Sequence, residues 1–99
     1  MGWLLTKLRG LVSRDFRMRE ACERLSPVQQ AFVRQLDDAA SSFRRWMDSS
    51  GEVLGESGMH LEIMQRAAAA RDKRNALVQQ CASAGISGEL IDYFGDLAR

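Results

Sequence analysis

The sequence predicts an all-α domain, and three observations carry that expectation. Apolar residues recur at steps of three and four over most of the chain. The single proline stands where it opens a helix instead of breaking one. No stretch alternates apolar and polar residues long enough to make a strand. The arrangement expected is three long helices at about 3–25, 27–48 and 58–84, with a short one at about 88–97. They would form one helical domain over residues 1–99, a bundle or hairpin completed by dimerisation.

The first helix rests on Leu4, Leu8, Leu11, Met18, Cys22 and Leu25, which follow a heptad-like spacing whose missing member is Asp15. The expectation is one helix carrying Asp15 in its apolar face; the alternative is a break between Gly10 and Ser13. The second helix has the clearest start. Ser26-Pro27-Val28-Gln29 reads as N-cap, N1 proline and a Gln at N3, a capping box with a pre-set φ. Val28, Phe32, Leu36, Ala39, Ala40, Phe43, Trp46 and Met47 then share one face, and Arg34, Asp37, Asp38, Arg44, Arg45 and Asp48 take the other. Ser49-Ser50-Gly51 is expected to end it.

Ser57 can cap the third helix, whose stripe is Ile63, Ala67, Ala70, Arg74, Leu77, Cys81 and Ala84. Gly85 stands where a C′ glycine belongs. Ser87 can cap the last helix, with Leu90, Ile91, Phe94 and Leu97 on its apolar side. At 1.5 Å per residue the second and third helices are about 33 and 40 Å long. Helices so long in a chain of 99 residues make a slender body with little core per turn, for which self-association is the usual remedy.

Charge excludes the simplest polyanion binder, since 14 basic residues face 13 acidic ones for a net +1. The charge is nonetheless uneven. Lys7, Arg9, Arg14, Arg17 and Arg19 stand against Asp15 alone in the first segment, whereas Glu89, Asp92 and Asp96 outnumber Arg99 in the last. Lys7, Arg9, Arg14 and Arg17, beside Trp3, Leu4, Leu5 and Phe16, are therefore the candidates for a nucleic-acid arm or an anionic membrane surface. The solvated back of a core helix is preferred, because Met18, Cys22 and Leu25 extend the same stripe. Trp3 to Val12 is too short and too charged to span a bilayer, and no small-residue cleavage site follows, so a cytoplasmic location is expected.

Signs of catalysis are few. His60 is the only histidine, and no phosphate loop or nucleophile elbow occurs. No cofactor and no metal are expected. Cys22 and Cys81 sit among apolar residues and read as free, structural thiols. Asp15 and Arg74, each central to an apolar stripe, are candidates for a buried ion pair, with Arg19 as the competing partner of Asp15.

Near the C-terminus, Cys81, Gly85, Ile86, Ser87, Ile91 and Phe94 resemble the turn of helix-turn-helix DNA-binding proteins. The resemblance covers under a quarter of the chain and implies a second helix that enters the major groove. Here that helix shows Glu89, Asp92, Tyr93 and Asp96, with no Lys or Arg before Arg99. This departs from the family pattern, since affinity for a duplex rests on neutralising phosphates. The reading preferred is a plain helical corner. The function expected is then a non-catalytic interaction module, docking an apolar helix face on a partner protein or on its own copy as a homodimer. Its anchors would be Phe32, Leu36, Phe43, Trp46 and Met47, edged by Arg44 and Arg45. The alternative is a nucleic-acid-binding regulator using the basic first helix or the C-terminal corner.

Overall fold

The fold is built on Gln29 and Gln30, where three helix ends meet. The computed structural model describes residues 14–52 and 57–98, and among these all regular structure is α-helix. Helix α1 covers 14–23, α2 Pro27–Glu52, α3 Ser57–Ser83 and α4 Gly88–Phe94. The expected residues before 14 lie outside the described part, so the continuity of the first helix below that point does too.

The capping box at the start of α2 is closed in both directions. The Gln29 amide N–H donates to Ser26 Oγ (3.2 Å), and the Ser26 N–H donates to Gln29 Oε1 (3.1 Å). Gln29 then does more than cap its own helix. Its Nε2 donates to the carbonyl of Ala84 (2.8 Å), just past the end of α3. Gln30 Nε2 likewise donates to the carbonyls of Glu23 and Leu25 (3.0 Å each), where α1 ends. Carbonyls that a helix terminus leaves without an intrahelical partner are thus met by two neighbouring amides.

The Gln29–Ala84 bond joins the start of α2 to the end of α3, and Arg66 lies over the ring of Trp46, 5.3 Å from its centroid, towards the opposite ends. The two helices therefore form an antiparallel hairpin. α3 closes in a Schellman motif around Gly85 at φ +83°: Ile86 N–H reaches Cys81 O (3.1 Å) and Gly85 N–H reaches Ala82 O (3.1 Å). Ser87, with extended backbone, caps α4.

The core lies at the α2 N-terminal half of the hairpin. Val33, Leu36 and Ala39 of α2 meet Leu77 and Cys81 of α3, and Met18, Ile86, Leu90 and Ile91 close over them. Towards the other end Ala40, Ile63 and Ala67 are also buried. Both helices contribute large and small side chains to this core: Val33, Leu36, Ala39 and Ala40 from α2, and Ile63, Ala67, Leu77 and Cys81 from α3. The result is thin: the extents are 51 × 41 × 16 Å and the Cα radius of gyration is 16.6 Å, against about 13 Å for a compact chain of this length.

Two boundaries depart from expectation. α2 continues through Ser49, Ser50 and Gly51 to Glu52. The Ser50 hydroxyl donates back to the Met47 carbonyl (2.9 Å) inside the same helix, which satisfies the group that would otherwise favour a turn. α4 ends at Phe94, three residues earlier than expected, because Gly95 caps it by donating to Ile91 O (2.8 Å).

Candidate functional site

The five expected anchors on α2 separate into two groups. Leu36 has 0% exposure and belongs to the core, so it presents nothing to a partner in this structure; its place on the apolar face of α2 is the place of greatest burial. Phe32 is half-buried and packs against the same core. Phe43 and Trp46 are half-buried, and Met47 is 39% exposed. These three lie in the C-terminal half of α2.

The start of α3 adds residues that the stripe on that helix did not single out. Met59 is 51% exposed, Leu61 60% and Met64 37%, although Met59 stands one four-residue step before the buried Ile63 and Ala67. α3 segregates apolar from polar residues only weakly, and apolar side chains emerge from it outside its packed stripe. Towards the joined end of the hairpin, exposed methionines thus occur on both helices, Met47 being next in sequence to Trp46. Arg66 covers one face of that indole and is itself held by Glu62 (3.2 Å). A shallow cleft of about 260 Å³ runs beside the same ring, lined by Ser42, Arg45, Trp46 and Ser49.

The expected buried pair of Asp15 with Arg74 is not formed. Asp15 is half-exposed, pairs with Arg19 one turn on (3.1 Å) and accepts the hydroxyl proton of Tyr93 from α4. Arg74 instead donates from Nε to the carbonyl of Gly95 (2.7 Å) and from Nη1 to Asn75 Oδ1 (3.0 Å). Local geometry decides this: an i, i+4 arginine lies within reach of Asp15 on its own helix. Arg74, for its part, meets the unpaired carbonyls at the end of α4, where a cation is favoured.

Of the basic candidates, Arg14 lies over the Tyr93 ring, 5.7 Å from its centroid, and Arg17 is exposed. Lys7 and Arg9 lie outside the described residues. No described helix is long and apolar enough to cross a membrane.

Both cysteines are free thiols, Cys22 half-buried and Cys81 buried. Burial raises both above the ordinary thiol value; at Cys22 the Arg34 charge partly opposes this, and Glu23 and Asp37 add to it. Cys22 lines an open cleft of about 250 Å³ with Gln30, Val33, Arg34 and Phe94. A thiol held protonated is a poor nucleophile. Among the described residues no group of three or more His, Cys, Asp and Glu side chains is placed to hold a metal ion. His60 Nδ1 is buried and has no hydrogen-bond partner among the described residues.

No family model, curated protein or solved structure matches the chain.

Proposed function

We propose that this chain is a non-catalytic helical docking module. It presents the joined end of its hairpin, Phe43, Trp46 and Met47 of α2 with Met59 and Met64 of α3, to another protein or to a second copy of itself. The observation that carries the reading is the exposure of methionines on both helices towards their joined end, where α2 also holds the half-buried Trp46. Methionine and aromatic residues are enriched at interface cores, and exposed methionine adapts its shape to a partner. Arg45, Asp48, Glu62 and Arg66 supply both signs of charge around them, which suits a polar rim. The mechanism is assembly or occlusion, with no bond made or broken.

Light scattering of the pure protein at rising concentration, beside the Met47→Ser/Met64→Ser double variant, tests the reading. A dimer that the double variant loses while keeping its helical spectrum supports self-docking. Affinity capture with and without nuclease tests docking to another protein. A chain that stays monomeric and retains only nucleic acid, released steeply by salt, overturns the reading.

A further inference from the structure

Two of the exposed methionines stand just beyond the end of α4, one on each arm of the hairpin. Arg44 of α2 donates to the carbonyl of Asp96 and Arg74 of α3 to that of Gly95, so the end of α4 rests across both arms. Met47 follows Arg44 by three residues, one turn further along the same side of α2. On α3 the line Met64, Ala67, Arg71 and Arg74, at steps of three and four, keeps Met64 on the side of Arg74. Gln29 stands opposite Ala84 and Trp46 opposite Arg66, which places Met47 nearly level with Met64. Both remain open, Met47 at 39% and Met64 at 37% exposure.

The first described residues of the chain enter at the same place. Asp15 accepts the Tyr93 hydroxyl and Arg14 lies over the Tyr93 ring, so α1 begins against the last turn of α4. From there α1 runs to the base of the hairpin, where Gln30 holds the carbonyls of Glu23 and Leu25. It is therefore antiparallel to α2, and residues 1–13 join it at the end nearer the methionines. Thirteen residues reach about 20 Å if coiled as a helix and about 43 Å if extended. The whole stretch of α2 from Arg44 to Glu52 is about 12 Å long. Trp3, Leu4, Leu5, Leu8, Leu11 and Val12 are apolar, and Leu4, Leu8 and Leu11 share the heptad-like spacing of the buried Met18.

We propose that residues 1–13 are the occupant of this surface, their apolar side chains covering Met47 and Met64 within the same chain. Attachment at Arg14 gives the segment an effective concentration on the order of mM, which a second copy reaches only in concentrated solution. One consequence rests on the docking reading above: a partner that docks at Met47 and Met64 must displace the segment. Its apparent affinity then falls by the fraction of chains left uncovered.

The cover is tested by the oxidation rate of each methionine in dilute hydrogen peroxide, read by mass spectrometry after digestion. The full-length Leu4→Ser/Leu8→Ser/Leu11→Ser variant is compared with the wild-type chain, both diluted until light scattering shows monomers, so that a second copy supplies no protection. Met47 and Met64 oxidise at least ~5-fold faster in the variant, because sulfoxide formation follows exposure. Met18, 5% exposed in the core, stays slow in both chains. Equal rates at Met47 and Met64, with Met18 slow in both, overturn the cover.

If Met18 accelerates as well, the substitutions have loosened the core, and a full-length chain carrying Leu8→p-benzoylphenylalanine decides instead. Irradiation attaches position 8 to Met47 or Met64 in a product of single-chain mass; attachment only elsewhere, or only between chains, overturns the cover. Neither measurement requires anything to dock, so the cover and the docking reading fail separately. In the docking assays the uncovered variant binds its partner or its copy at least ~5-fold more tightly. Unchanged affinity in a chain whose methionines have become accessible overturns the competition.

Discussion

Replacing Leu36 by alanine puts the division between core and surface on α2 to a direct measurement. Leu36 and Cys81 are the largest fully buried side chains among the described residues. The substitution removes three carbons from a site with no exposure, a transfer loss of about 2.4 kcal/mol at about 0.8 kcal/mol per carbon. The void left among Val33, Leu77 and Ile91 adds to it, because packed neighbours relax only in part. We expect a total near 3 kcal/mol, a large share of the roughly 5–15 kcal/mol that a domain of this size possesses. In urea, monitored by far-UV circular dichroism, the midpoint should fall by about 2 M with the slope unchanged. Met47→Ala, on the same helix but 39% exposed, should cost under about 1 kcal/mol. A Leu36→Ala loss below about 1 kcal/mol, or one no larger than that of Met47→Ala, would refute the assignment of Leu36 to the core.

Three further outcomes are expected. Tyr93→Phe removes the hydroxyl that Asp15 accepts and should lower stability by about 1 kcal/mol, with a double-mutant cycle to Asp15→Ala showing coupling; the cycle of Asp15→Ala with Arg74→Ala should be additive within about 0.5 kcal/mol. Gln29→Glu keeps an acceptor for the Ser26 N–H but sets a carboxylate against the Ala84 carbonyl, so it should destabilise at neutral pH and recover as acid protonates the new carboxyl, read by thermal unfolding across pH. Because burial raises the two thiols above their ordinary value of 9.0, the unfolded chain ionises them first. Their contribution is whole below that pH and is lost as pH rises from 9.0 to the folded values, and a Cys22→Ser/Cys81→Ala chain should show a shallower alkaline decline.

What the sequence made legible is whatever is decided within a few residues. Ser26 and Gln29 announce the start of α2 because both halves of a capping box lie on one turn, and Gly85 announces the end of α3 because the Schellman motif is equally local. The same locality misled at Ser49-Ser50, where the pair reads as a stop until Ser50 is seen to bond inside the helix. Residues whose partners come from distant segments were not legible. Asp15 meets Tyr93 and Arg74 meets Gly95, and no periodicity distinguishes those partners from the pairing of Asp15 with Arg74. The interface candidates followed the apolar face of α2, which identifies what is apolar and not which part of it α3 and α4 cover. Met59 and Leu61 precede the first member of the α3 stripe and Met64 flanks it, and the spacing does not show that all three are exposed.

The corner at Gln29 also restricts what that position can be. Its side chain must accept a proton at one atom, donate one at the next, and span the distance from its own N-cap to the end of another helix. Glutamate loses the donor, lysine and arginine lose the acceptor, and asparagine is one carbon short. Much of the surrounding core asks only for apolar volume, which many residues supply. In sequences that have drifted until their cores no longer align, a glutamine two residues after a serine–proline step would be the letter to search for.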